Sequence, residues 1–439
     1  MVKDRVYNRR LLFFYIAMLL LIVTAPFFGG KVFILAATAL FCGALLVLKI
    51  PSMYVLLLGL FPFANIFKLS PTSSSMLTIC ELILCVYIVL VHGVLGGKMR
   101  IKTSFVVLWI LFIGYIAFVP GVRGGVLPVV KMAVRLLLLY TFFQLEYEAE
   151  FREKTIRMMV YVLGFSMVLM MALSKWELYL DKVVGYLRIV QYGQGASVVR
   201  NGGLMDDPNY CSLAIMATLT ILTVMYYYKQ IGWHYWLLAV PLFLFGFSTY
   251  SKSYLLCAVI FVVMLLVYVL FPRHKGMALL VLIAAAVGTA LALKGEIEVI
   301  DMILDRFDEK DITTGRSALN NVYVNHIFGN LNVLVFGSGY NVQTFGMHNN
   351  VHNLYIETLF QLGFFGASLL LSVILSCFPK KHNRTKMVNY LPPLFILVMY
   401  TALAGLNSYE LVYYIMIMVC SVFFVSERKT NTGYQVEGI

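Results

Sequence analysis

Residues 352–366 read His-Asn-Leu-Tyr-Ile-Glu-Thr-Leu-Phe-Gln-Leu-Gly-Phe-Phe-Gly, and the change of character at this point decides how the chain is read. Upstream, residues 294–353 hold many charged and turn-forming side chains. Downstream, residues 354–378 are nearly all apolar. A helix needs about 20 such residues to cross the hydrocarbon core of a bilayer. His352 and Asn353 therefore fall where a polar loop meets hydrocarbon, the place to meet a substrate with a polar head and a lipid tail.

The rest of the chain follows the same pattern. Of its 439 residues, 61% are hydrophobic and 13% charged, and the mean hydropathy is +0.86. A soluble chain of this length has no way to bury that much apolar surface. The reading is an all-α, polytopic integral membrane protein with about 12–14 transmembrane helices, forming a single membrane domain over 1–439. The candidate spans are 11–28, 32–49, 52–67, 76–95, 104–120, 126–143, 156–173, 209–228, 233–248, 253–271, 277–293, 354–378, 389–406 and 409–425. Lys3, Arg5, Arg9 and Arg10 precede the first, which lacks a small-residue cleavage site and is read as an uncleaved span. The seven cysteines all lie in apolar segments, which fits packing rather than disulfides or metal binding.

Charge gives the orientation. With the amino terminus inside, 20 of the 34 lysines and arginines fall in inner loops. The short outer loops hold only Lys31, Lys68, Arg123 and Lys252. The positive-inside rule then puts both termini in the cytoplasm. The two long loops, 174–208 and 294–353, face outward. The net charge of +13 marks sidedness, not nucleic-acid binding, because no basic aromatic patch sits on a soluble domain. No phosphate-cradling glycine loop appears on the inner side. In the first long loop, Trp176, Tyr179, Leu180, Val183 and Leu187 recur at helical spacing, as expected of a helix lying in the interface. The stretch 296–309 has a similar mixed pattern.

Several polar elements stand out against this background. Arg200-Asn201-Gly202-Gly203 leads through Asp207-Pro208-Asn209 into the eighth span, with Asp207 placed to cap it. Ser251-Lys252-Ser253 separates two apolar runs. Thr313-Thr314-Gly315-Arg316 opens a helix-like stretch at 317–328, where a helix start and a guanidinium together suit phosphate oxygens. Gly337-Ser338-Gly339 gives a turn. Lys131 and Arg135 share one helix face inside a span, and Glu81 enters from the same outer side to pair with Lys131, as a buried ion pair or as a funnel for lipid phosphate. Asp301, Asp305, Asp308, Glu309 and Asp311 read as a solvated face, and His348 as an ordinary neighbour of His352.

Taken together, Arg200 to Asn209, Ser251-Lys252, Gly315-Arg316 and His352-Asn353 with Gly363 and Gly366 resemble the motifs of the O-antigen ligase and Wzy-type polymerase superfamily. One position departs from it: lysine stands at 252, where that superfamily usually has arginine. The resemblance covers residues 195–366 by motif. It implies an inverting, GT-C-type membrane glycosyltransferase of the bacterial cytoplasmic (inner) membrane that needs no metal and no other cofactor. The implied substrates are a polyprenyl-diphosphate-linked glycan donor and a glycan acceptor, in contact with membrane lipid. A chain-length regulator and a flippase are the implied partners. His352 is the expected base or acceptor-orienting group, with Asn353 fixing its ring. Arg200, Lys252 and Arg316 are expected at the diphosphate. Polymerisation of repeat units into a surface polysaccharide is the first expectation, and ligation of finished glycan to lipid A core or protein the second. A transporter or flippase is the reading from a different class. It predicts paired repeats and helices interrupted at the midplane, and no repeat is visible.

Overall fold

The computed structural model describes residues 2–28, 30–70, 73–95, 102–118, 126–144, 149–187, 201–205, 207–227, 231–271, 274–293, 316–339 and 353–377. Among these residues the protein is all-α, with no strand. The helices are α1 (Val2–Thr24), α2 (Lys31–Val47), α3 (Ile50–Leu60), α4 (Met76–Tyr87), α5 (Thr103–Phe118), α6 (Val126–Gln144), α7 (Ala149–Leu173) and α8 (Glu177–Leu187). They continue as α9 (Pro208–Tyr227), α10 (Tyr235–Phe247), α11 (Lys252–Met264), α12 (Lys275–Leu293), α13 (Arg316–Gly329), α14 (Leu331–Phe336) and α15 (Leu354–Cys377). The candidate spans at 389–406 and 409–425, the stretch 296–309, the acidic run from Asp301 to Asp311, His348, His352 and Arg200 lie outside the described residues.

Among the described residues, two helices, Lys154–Lys175 and Tyr355–Cys377, are long and apolar enough to cross a membrane. Seven more apolar helices are shorter. Many carry large apolar side chains on their outer surface. In α12, Leu279, Leu280, Ile283 and Val287 are all exposed.

The described residues form two compact units: those up to 155 and from 315 to 382 make one, and those from 156 to 314 make the other. In the first, α3 is the central element. Every residue from Ile50 to Leu60 is buried, as a helix apolar on all sides should be. Pro51 sits in its first turn, where no backbone donor is lost. The Tyr54 hydroxyl donates to the Leu138 carbonyl at 2.9 Å and lies 2.7 Å from the Thr141 hydroxyl, fixing α3 to α6. In the second unit, Gly246 lets α10 approach α11 so closely that a Cβ would strike the Tyr254 ring. The Tyr254 hydroxyl donates to the Phe243 carbonyl at 2.7 Å. The helix expected in the first long loop forms as α8. It buries Tyr179 and Val183 and leaves Trp176 exposed.

α4 and α6 are joined by charge. The Arg135 Nε donates to Glu81 Oε2 at 3.1 Å, with both side chains almost wholly enclosed. Arg135 lies one turn after Lys131, the expected partner of Glu81, on the same helix face, and its guanidinium meets the Glu81 carboxylate. A cation so enclosed is out of reach of a lipid headgroup, so of the two roles the structure favours the buried ion pair. Removing one member strands the other charge away from water, at a cost of about 3–5 kcal/mol. Glu81→Ala and Arg135→Ala should therefore each lower the melting temperature of the detergent-purified protein by several degrees. Replacing both by methionine should be the milder change. Equal melting of all variants with wild type would remove the pair from the fold's supports.

Candidate functional site

In the second unit, the element that follows Arg200 and the element that holds Lys252 are tied together. The Asn201 N–H donates to the Ser248 carbonyl at 3.1 Å. Eight residues along the same motif, Asn209 Oδ1 accepts from the Ser251 hydroxyl at 3.1 Å. Both ends of the turn are thus anchored to the α10–α11 corner. The local reasons are legible. Asn201 Oδ1 accepts from Gly203 N at 2.7 Å, closing a side-chain turn. Gly203 has φ +65, and a Cβ there would press into the Met170 sulfur, so only glycine serves. The Met170 sulfur also accepts from Leu204 N at 3.0 Å. Asp207 Oδ1 accepts from Asn209 N at 2.6 Å and caps α9, as the sequence predicts.

Lys252 is the first residue of α11, and Ser251 caps that helix by accepting from Tyr254 N at 3.4 Å. The residue before the cap, Tyr250, has φ 47, the positive-φ region that non-glycine residues seldom enter. Such a conformation costs on the order of 1 kcal/mol and persists where surrounding contacts impose it. Here it directs the chain from α10 back into the turn beside Asn209. Lys252 is therefore attached to backbone that is hydrogen-bonded to the turn 201–209.

In the first unit, the Gly-Ser-Gly turn and the glycines that follow His352 form another joined pair. α15 is broken at Gly363, which has φ 63 and ψ −177. The break frees carbonyls, and the turn supplies their donors. Ser338 N donates to the Phe360 carbonyl at 2.7 Å, and Gly339 N to the Gln361 carbonyl at 3.0 Å. Gly337 also has positive φ, at 78. A Cβ on Gly337 would land on the Gln361 carbonyl, and one on Gly363 on the Val335 carbonyl. Gly366 is packed for a different reason: a Cβ there would strike the Tyr115 ring. The Tyr115 hydroxyl lies within hydrogen-bond reach of the Leu362 and Phe336 carbonyls, at 2.8 and 2.5 Å.

α5 and α15 run antiparallel. Lys102 Nζ donates to the Ser376 carbonyl at 3.3 Å at one end, and Tyr115 meets Leu362 at the other. The stretches 102–115 and 362–376 match, each about 20 Å long. Residues 354–362 therefore continue past the level of Tyr115. They pack on α13 and α14 around Tyr323, Ile327, Val333 and Phe360. The sequence reads 354–378 as one uninterrupted span entered from the loop that ends at Asn353. The structure divides it at Gly363 and wraps its first part in loop helices.

Asn353 is the N-cap of α15. Its Oδ1 accepts from Tyr355 N at 3.0 Å and Ile356 N at 3.3 Å. The side-chain oxygen of Asn353 is thus engaged in starting the helix. The Thr-Gly-Arg element leads into α13, whose first residue is Arg316, so the expected helix start after Gly315 is present. The residue that sequence reasoning missed is Glu357. It is 5% exposed, and its Oε1 accepts from Gln361 Nε2 at 2.8 Å. Burial, with the Glu357 carboxyl nearby, pushes the Tyr323 hydroxyl up to about 12. The signal was available: Glu357 is the one charged residue between 354 and 378.

Compared with protein-family models, curated proteins and solved structures, the chain gives no match.

The glycines and Asn353 can be separated by substitution. Gly363→Ala forces a side chain into positive φ against backbone. It should destabilise the protein by about 1–3 kcal/mol or more, read as a lower melting temperature in detergent. Asn353→Ala should cost about 1 kcal/mol, whereas Asn353→Ser keeps a cap acceptor and should melt close to wild type. A Gly363→Ala protein as stable as wild type would contradict the break.

Proposed function

We propose that this protein is a polytopic membrane glycosyltransferase that joins polyprenyl-diphosphate-linked repeat units into a surface polysaccharide on the outer face of the cytoplasmic membrane. The observation that carries the reading is the pairing of motif elements. In each unit, stretches that the sequence separates by tens of residues are hydrogen-bonded together: 201–209 with 248–251, and 337–339 with 360–363. Bland turns and caps give no reason for that convergence. The exposed apolar helix surfaces support the membrane setting, since contiguous apolar area of this extent marks a surface in contact with something other than water.

The chemistry follows from the charges available. The acceptor sugar's hydroxyl oxygen forms the new bond to the anomeric carbon. The bond from that carbon to the diphosphate oxygen breaks, and its electron pair leaves with the lipid diphosphate. The acceptor proton goes to the His352 imidazole, whose ordinary pKa suits a base near neutrality. Arg316, Arg200 and Lys252 meet the negative charge that grows on the leaving group. Arg316, at the start of α13, adds a formal charge to the donors of a helix N-terminus.

A transporter predicts a helix interrupted at the membrane midplane. The break at Gly363 is an interruption of that kind. It lies level with Tyr115, close to the end of α5 rather than its middle, which favours a site at the membrane edge.

Two measurements test the proposal. Cysteines placed singly at 310 and 382 in a cysteine-free background should differ in intact cells, with 310 labelled by an impermeant reagent and 382 protected. The reverse pattern would overturn the topology. In vitro, the purified protein supplied with lipid-diphosphate repeat units should extend them. His352→Ala should lose about 10²–10⁴-fold in rate, while His348→Ala stays active. Arg316→Lys should be impaired and Arg316→Ala more so. Transfer only to a lipid A core acceptor, with no extension, would replace polymerase by ligase.

A further inference from the structure

We propose that α7 and α10, where Arg157, Tyr161 and His234 meet, bind the headgroup of an anionic phospholipid. The inference rests on the membrane setting alone and not on the transferase chemistry.

α7 and α10 lie side by side and run parallel. Tyr161 meets His234, with ring centroids 6.4 Å apart, and about one turn further on a Cβ at Gly164 would come within 3.0 Å of Leu238. Three polar side chains converge on the backbone of Gly232, just before α10. The Tyr161 hydroxyl is hydrogen-bonded to that backbone. The His234 imidazole folds back over it, with Nε2 3.1 Å from where a Cβ on Gly232 would stand. Arg157 lies one turn before Tyr161 on the same face of α7, close enough for its charge to act on the Tyr161 hydroxyl. A guanidinium, a phenol hydroxyl and an imidazole are donors suited to phosphate oxygens. No acidic residue occurs from 154 to 173 or from 231 to 247, so neither stretch supplies a carboxylate to neutralise the cation.

What continues from this polar end is apolar and open, and that selects a lipid over a soluble anion. On α10, Trp233, Leu237, Val240 and Leu244 follow at helical spacing, and all four are exposed. On α7, Phe165 continues the face of Arg157 and Tyr161 and is exposed as well. From 233 to 244 a helix rises roughly 16 Å. That is about half of the ~30 Å hydrocarbon core, the depth of one leaflet. A soluble phosphate has no use for such a stripe, whereas an acyl chain covers it. Trp233 stands at its polar end, as the aromatic residues of a membrane interface do. On the topology proposed above, α10 begins at the cytoplasmic face. Basic pockets between helices on that side take anionic headgroups.

The experiment uses full-length protein in detergent and counts bound lipid by native mass spectrometry. Phosphatidylglycerol is compared with phosphatidylcholine of the same acyl chains, whose choline cation offsets the phosphate. Wild type should retain phosphatidylglycerol in preference. Arg157→Gln should weaken that binding about tenfold or more, and Tyr161→Phe, which removes one oxygen, about threefold. Binding of phosphatidylcholine should not change in either. Lys275→Gln removes an exposed cation from α12 and should leave the preference intact. Equal losses in Arg157→Gln and Lys275→Gln, about fivefold each, would reduce the effect to general surface charge and overturn the site. An unchanged preference in Arg157→Gln and Tyr161→Phe, each shown by thermal melting to be folded, would overturn it too. Should Arg157→Gln fail to fold, Tyr161→Phe decides alone. Inorganic phosphate should not displace the lipid. Displacement at concentrations equal to the lipid's would assign the site to a soluble anion instead. Release of the protein from cells without detergent would overturn the membrane setting itself, an outcome distinct from all of these.

Discussion

A helix that breaks where it is buried frees carbonyls that the protein itself must satisfy, and the first unit is organised around meeting that demand. The carbonyls of Phe360 and Gln361 are freed where Gly363 leaves helical geometry. Ser338 and Gly339 bring the donors. Everything nearby follows from this closure. α14 must end at Gly337, so that the turn can reach. Gly337 and Gly363 must both lack a side chain, because each backbone touches the other's. Tyr115 completes the joint from α5, its hydroxyl shared between the Leu362 and Phe336 carbonyls. Backbone groups in low dielectric are costly to leave unmet, so the break and the turn can only exist together.

The second unit solves a related problem with side chains. The turn after Arg200 has little regular structure, and it is held by Asn201, Asp207, Asn209 and Ser251, each of which satisfies a backbone or side-chain polar group. A sulfur atom, Met170, fills the space behind Gly203. The strained Tyr250 shows that the corner is imposed by these contacts and not chosen by the local sequence. Both units thus place their motif residues on backbone whose conformation is over-determined. A site that handles a charged leaving group benefits from that rigidity, because donors already in place need not reorganise as charge develops.

How much of this could be read from the chain alone varied with the kind of signal. Helices were legible from apolar runs, and the cap at Asp207 from residue type. Asn353 was legible as important, but its spacing from the glycines did not reveal that its oxygen starts a helix. Gly363 was harder. Glycines are common in apolar helices, and nothing in Leu-Gly-Phe-Phe-Gly says that the first breaks the helix while the second receives a tyrosine ring. That distinction depends on α14 and α5, which are distant in sequence. That Arg135 meets Glu81 was likewise undecidable from one helix face, since Lys131 lies on the same face. Glu357 was visible as a lone acid in an apolar stretch, yet its environment comes from α13 and could not be seen.

The break at Gly363 also bears on the fixed spacing that separates Asn353 from the glycines. The segment 354–362 is tethered at both ends, by its cap at Asn353 and by the backbone joint at Gly363. It therefore works as a ruler of about two and a half turns, roughly 13 Å long. One residue more or less would rotate its starting end by about 100° relative to the joint. The cap, and whatever precedes it, would then face away from the Tyr323–Phe360 core. Side chains along the ruler can vary wherever they do not touch that core, but its length cannot.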